Sequence, residues 1–275
     1  MIKIFLTVRN RLAMTEKCIE ALKRHSTIPH QIYVYDNSTT YLLEEHFDFF
    51  SNLYKTGTIA QVTFTSDAST FNAFSKAVAC NMFGLQHEQD PQKDSCSFLL
   101  FLDNDIIVTP KWDEKLRISW KFVQKTNLNN IKVIGQLPGG IKDRKEEVEF
   151  GEIKGRLGRL GGSALWSVRP NFFREVGFLP LKNLVGLHKQ HDQMYWRLLE
   201  KCSGGKPYIM GINQKLGIHC GKFAGSVCNR LTRMNRDPKK LAFIKFEESE
   251  EHIRGLTFEQ FYNEVVDDKT LINDW

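Results

Sequence analysis

Asp103 and Asp105 stand one residue apart at the end of the apolar run Phe98-Leu99-Leu100-Phe101-Leu102, and a second apolar run, Ile106-Ile107-Val108, follows them. A short apolar run bounded by polar residues predicts a buried strand that delivers acid to a surface. In extended backbone successive side chains alternate, so the spacing predicts Asp103 and Asp105 on one side with Asn104 turned away. Two carboxylates so placed suit Mg2+ or Mn2+, hard cations that take oxygen ligands and share them with substrate phosphates. The same three residues also suit a plain acidic turn that ends a strand, so the surrounding elements must decide.

Those elements follow an α/β pattern. Ile2 to Val8 reads as a buried strand, Leu12 to Leu22 as an amphipathic helix, and Gln31 to Tyr35 as a second strand closing on Asp36-Asn37-Ser38-Thr39. Strand, helix and strand in that order predict a right-handed parallel crossover. A helix through Leu42 to Phe50, a strand at Gln61 to Phe64 and a helix from about Thr70 to Gln86 continue it up to the acid-bearing strand. Ligands of open α/β sheets sit at the carboxyl ends of strands, so Asp36, Asp103 and Asp105 are expected to face one crevice. Alone, Asp36 reads as a plain turn former or helix cap; its place after a second strand sets ligand contact on an equal footing with that reading. After Pro110 a helix carries Trp112, Leu116 and Trp120, which read as core; Lys132 to Gly135 is a further strand. Pro138 to Gly162, rich in glycine and alternating charge, reads as a long loop or exposed hairpin. Ser163 to Val168 restores a strand, Gln190 to Leu199 a helix, and Tyr208 to His219 one or two strands.

Composition narrows the class. With 275 residues, 41% of them hydrophobic, the chain can bury a substantial core. The apolar start is stopped by Arg9, Asn10 and Arg11, no run reaches membrane-spanning length, and the six cysteines show no metal-binding or disulfide spacing. A cytoplasmic protein is expected, with peripheral membrane contact left open. The net charge of +6 suits anionic ligands without selecting among them, and no nucleic-acid motif accompanies it. Lys222, Arg230, Arg233, Arg236, Lys239 and Lys240 form a basic segment ahead of an acidic tail with helical apolar spacing at Phe258, Phe261, Tyr262 and Val265.

Taken together, Thr7-Val8-Arg9-Asn10-Arg11, Tyr35-Asp36-Asn37-Ser38-Thr39, Phe71-Asn72-Ala73-Phe74-Ser75-Lys76, Leu102-Asp103-Asn104-Asp105, Gly161-Gly162-Ser163-Ala164, His191-Asp192 and Gly217-Ile218-His219 resemble, in order, the motifs of nucleotide-sugar-dependent glycosyltransferases of the GT-A fold, especially the inverting family 2. The resemblance runs from Ile2 to about Phe223. It implies a Rossmann-like, mixed and mostly parallel sheet flanked by helices. A GT-A domain over 1–225 is expected, with a nucleotide-binding half at about 1–108 and an acceptor-side half at about 109–225. A basic, then acidic, helical extension follows over 226–275.

The resemblance further implies metal-dependent transfer of a sugar from a nucleoside-diphosphate sugar to a hydroxyl of a carbohydrate, lipid-linked or protein acceptor, with inversion. Asp192 would be the catalytic base. Thr7, Arg9, Asp36, Asn37, Lys76, Asp103, Asn104 and Lys222 would contact the donor, and Asp103, Asp105 and His219 would hold Mn2+ or Mg2+. An unperturbed aspartate, with a pKa of about 3.9, is a weak base, so Asp192 would depend on desolvation by the acceptor. The chain departs from the family where Ala or Phe replaces the glycine after Asn72 and where His191 precedes Asp192. His219 also reads as an ordinary strand-end histidine, and Trp166, beside the glycine-rich strand, is a candidate sugar platform. Rival readings are a carbohydrate-binding or scaffold protein on the same fold and a sugar nucleotidyltransferase. The glycine-free turn Val8-Arg9-Asn10-Arg11-Leu12 disfavours the latter.

Overall fold

The computed structural model describes residues 1–38, 43–64, 73–136, 146–159, 165–179, 198–220 and 250–267. Its first half is built from β1 (Ile2–Val8), α1 (Leu12–His25), β2 (His30–Asp36), α2 (Leu43–Lys55), β3 (Gln61–Phe64), α3 (Ala73–Gln89) and β4 (Phe98–Asp103). The second contains β5 (Ile106–Val108), α4 (Trp112–Lys125), β6 (Val133–Gln136), β7 (Glu146–Phe150), β8 (Ile153–Gly158), β9 (Leu165–Val168), α5 (Phe172–Val176), β10 (Ile209–Ile212), β11 (Gly217–His219) and α6 (Phe258–Asp267).

Nine strands form one sheet in the order β3-β2-β1-β4-β9-β6-β10-β8-β7. β3, β2, β1 and β4 are mutually parallel, and β8 and β9 run against their neighbours. The chain steps outward from β1 to β2 and β3, then returns to place β4 on the other flank of β1. That reversal falls between β1 and β4, and the carboxyl ends of strands at such a reversal are where open α/β sheets bind ligands.

Strand alternation sorts the apolar side chains into two cores. Ile2, Ile4, Leu6 and Val8 of β1, with Phe98, Leu100 and Leu102 of β4, pack with Met14, Cys18 and Leu22 of α1 and with Trp112, Leu116 and Trp120 of α4. Phe5, Leu99 and Phe101 point the other way, into a cluster with Phe83 of α3 and Phe172 and Phe173 of α5. Trp112 and Trp120 are thus core, as their spacing predicts. Trp166 is also core: it lies parallel to Phe101 with ring centroids 4.1 Å apart and is buried, which removes it as a sugar platform.

The acidic tail is part of this architecture. Ile253, Phe258, Phe261 and Val265 enter the first core beside α1. Lys17 Nζ donates to the Leu256 carbonyl at 2.8 Å, and Arg254 pairs with Glu45 at 2.7 Å. In the expected loop region, β7 and β8 form a hairpin on the sheet edge, as one of the two sequence readings has it. Its glutamates Glu146, Glu147 and Glu149 line the open edge, a charge pattern that discourages pairing with another strand. Among the described residues no helix is long and apolar enough to cross a membrane. The five described cysteines are free thiols, four of them buried.

Candidate active site

At the mouth of β1 and β4, Thr7 and Asp103 are register partners, and Thr7 Oγ1 donates to Asp103 Oδ1 at 2.8 Å. Beyond Asp103 the structure departs from the extended backbone expected of the acid-bearing stretch. Residues 104–105 form a turn, and Ile106–Val108 leaves the main sheet to pair antiparallel with β11. Strand alternation therefore does not set the side-chain directions of Asp103 and Asp105. The apolar run after the acids reflects a second, two-stranded sheet whose partner lies more than a hundred residues away in sequence.

That small sheet brings His219 to the site. His219 is the register partner of Ile106, and the Cys220 N–H donates to the Asp105 carbonyl at 2.7 Å. His219 Nε2 lies 3.4 Å from Asp105 Oδ2. The same oxygen accepts a hydrogen bond from Arg11 Nη1 at 2.8 Å. Asp105 is only 7% exposed, so it meets Arg11 and His219 where water screens little. Burial alone would raise its pKa, but the His219 hydrogen bond and the Arg11 charge outweigh that and hold it well below the usual carboxylate range. Burial would lower the His219 pKa, and the contact with Asp105 more than reverses this, so the imidazole is raised.

Asn104 is structural at this corner. Its Nδ2 donates to the Asn10 carbonyl at 3.3 Å and to Thr15 Oγ1 at 2.9 Å, tying the turn after β1 to the first turn of α1. Two cysteines border the acids. Cys18 is pushed up by burial and then by the charges of Asp105 and Asp103, and Cys220 by burial and Asp105. Both are buried and pack into the first core.

The second strand end is organised differently. Asp36 is fully buried; its Oδ1 accepts from the Ser38 N–H at 2.9 Å and from the Ser38 hydroxyl, and its Oδ2 lies 2.7 Å from His46 Nδ1. Ser38 Oγ in turn accepts from the Asn10 N–H at 2.9 Å, so the Asp36 network buttresses the same turn that presents Arg11. Asn37 is buried, with its N–H on the Val8 carbonyl, and Arg9 is half-buried at the exit of β1.

The structure thus brings together Thr7, Asp103, Asn104, Asp105 and His219, and sets Asp36 and Asn37 into the wall beside them. The three residues expected as metal ligands are only partly gathered. Asp105 and His219 touch, Asp103 engages Thr7, and among the described residues no group of three or more His, Cys, Asp or Glu forms a metal-ligand set. Asp192, His191 and Lys222 lie outside the described residues, as does the Lys76 side chain on α3. Two contributors were not assigned from sequence. Arg11 stands inside a quoted motif without a role, and His46 reads as an ordinary residue of the second helix.

No family model and no curated protein sequence matches the chain. Solved structures do. GalNAc-T7 with UDP, GalNAc and Mn2+ superposes with a TM-score of 0.53 at 13% identity, over 78% of this chain and 44% of that one. The mannosyltransferase PcManGT from Pyrobaculum calidifontis, in complex with GDP-Man and Mn2+, gives 0.48 at 10% identity over 76% and 53%. S. aureus TarS gives 0.47 at 14% identity over 78% of this chain and 36% of that chain, so the chain spans about a third of that structure's length. The likeness to GalNAc-T7 establishes the fold as GT-A, the one the sequence motifs imply.

Proposed function

We propose that this GT-A chain is a glycosyltransferase that moves a sugar from a nucleoside-diphosphate sugar to an acceptor hydroxyl. The observation that carries the reading is the charged corner at the reversal point of the sheet, where Asp105 touches His219 of β11 just past the end of β4 and Asp103 is held by Thr7 at the ends of β4 and β1. The GalNAc-T7 structure that shares the fold holds UDP and Mn2+, which supports a nucleotide sugar and a divalent cation as donor and cofactor here.

The donor set fits such a cation. The carboxylate of Asp105 and the imidazole of His219 are an oxygen and a nitrogen ligand that Mn2+ accepts, and Asp105 Oδ2 is the atom on which Arg11 and His219 converge. Asp105 and His219 would hold the ion, with Asp103 beside them. When bound, it supplies charge neutralisation for the departing diphosphate. Thr7 fixes the Asp103 carboxylate, and Asn104 fixes the turn that carries Arg11. Asp192 is the group assigned to accept the acceptor proton, with inversion at the anomeric carbon; that assignment rests on the motif His191-Asp192 alone.

The test is donor hydrolysis and transfer over a panel of UDP-, GDP- and other nucleotide sugars with Mn2+ present. Turnover of one donor, lost in Asp105→Asn, is expected. Turnover that survives Asp105→Asn refutes the site. For the base, Asp192→Asn is expected to keep donor binding and lose about a hundredfold or more in transfer rate; undiminished transfer refutes that role.

A further inference from the structure

Asp105 already has a cation, and it is part of the chain. The Arg11 guanidinium, whose side chain is 18% exposed, donates to the buried Asp105 carboxylate at Oδ2, 2.8 Å away. The backbone that carries it is secured at several points. The Arg11 carbonyl accepts from the Thr15 N–H at 2.9 Å and from Thr15 Oγ1 at 2.8 Å. The Asn10 carbonyl is held by Asn104, and the Asn10 N–H by Ser38. The long side chain therefore can change partner by rotamer while its backbone stays in place.

Resting on the functional reading above, we propose that Arg11 is a resident counter-ion that exchanges partner during donor loading. A divalent cation at Asp105 and the Arg11 guanidinium compete for one carboxylate oxygen, because two positive charges that close repel in a poorly screened site. Displaced, Arg11 presents a planar fork of donors at the crevice mouth, which matches the oxygens of a diphosphate. Arg11 is in this sense a positioning residue. It keeps Asp105 neutralised in the empty site and couples cation entry to nucleotide entry, so that each ligand favours the other.

The experiment reads binding. Mn2+ affinity is measured by the electron paramagnetic resonance signal of the free ion, with and without UDP or GDP, for the wild-type chain, Arg11→Gln, Arg11→Lys and Asp105→Asn. Without nucleotide, Arg11→Gln is expected to bind Mn2+ about tenfold tighter than wild type, and Arg11→Lys close to wild type. Nucleotide is expected to tighten Mn2+ binding several-fold in wild type and much less in Arg11→Gln. Unchanged Mn2+ affinity in Arg11→Gln, with binding lost in Asp105→Asn, overturns the exchange and leaves the functional reading standing. Mn2+ binding that persists in Asp105→Asn overturns the cation site, and both readings with it. Should Arg11→Gln fail to fold, the wild-type chain answers by side-chain NMR. The Arg11 Nε–H resonance, assigned by its absence in Arg11→Lys, shifts on addition of Mg2+ if the exchange occurs, and an unmoved resonance overturns it.

Discussion

Glu250 reaches across the sequence to cap α1, and its replacement tests how the tail is joined to the site. The first N–H groups of a helix lack partners within it. In α1 the residue at the cap position, Arg11, supplies no side-chain hydrogen bond, and Glu250 Oε2 instead accepts from the Ala13 N–H at 2.8 Å. Glu250→Ala leaves that buried N–H without an acceptor, which costs about 2 kcal/mol. For a chain of this size that is a fall in Tm of roughly 4–8 °C. The charge has a separate signature. Burial pushes the Glu250 carboxyl up, and the N–H groups of Ala13 and Met14 and the Arg11 charge offset only part of that. The folded state therefore binds the proton more tightly than the unfolded state does. Stability contributed by the protonated form is present at low pH and declines as pH rises from the ordinary glutamate range through the raised pKa. Glu250→Gln keeps an acceptor for Ala13 and has no proton to lose, so it is expected to lose at most half as much Tm as the alanine variant and to abolish this part of the pH slope. Thermal unfolding followed by circular dichroism from pH 4 to 8 measures both. A Glu250→Ala protein melting within a degree of wild type, or a Glu250→Gln protein with the wild-type pH slope, refutes the cap.

Two further substitutions test the framework. At Gly135 on β6 an added Cβ would lie 2.4 Å from the Leu165 carbonyl oxygen and 2.8 Å from the Trp166 Cα, both backbone atoms of β9. Gly135→Ala is expected to destabilise by about 1–3 kcal/mol in a denaturant titration, and an unchanged midpoint would show that the two strands separate freely. Asp36→Ala strips the buried acceptor from His46 and Ser38 and is expected to cost about 1–3 kcal/mol for each group left unsatisfied. A variant that loses nucleotide binding at full thermal stability would instead place Asp36 on the ligand.

Much of the fold was legible because its determinants are local. β1, β2, β3 and β4 read as short apolar runs ending in polar residues, and the helical spacing of Trp112, Leu116 and Trp120 marked the buried face of α4. The acid pair was legible as chemistry, and its position follows from the end of β4. What escaped depends on distant partners. Whether the chain stays extended past Asp103 is decided by β11, and whether Asp105 meets an arginine or an ion is decided by a turn nearly a hundred residues earlier. His46 carries no local mark of its pairing with Asp36, since a histidine on an amphipathic helix looks the same whether it faces water or a buried carboxylate. In the tail the helical spacing of Phe258, Phe261 and Val265 was legible, and what it did not disclose is the partner face, the first core beside α1.

The turn that ends β1 sets two successive residues left-handed, Asn10 at φ 52° and Arg11 at φ 61°. An L side chain is crowded in that region, and asparagine tolerates it better than arginine does. Judged by backbone comfort alone, glycine is the better residue at position 11. A redesign guided only by thermal stability would choose it, keep the fold, and remove the Arg11 guanidinium that meets Asp105. The preference of the backbone and the requirement of the acid are opposed at a single residue, which makes Arg11 a place where gains in robustness and losses in ligand handling can be separated by one substitution.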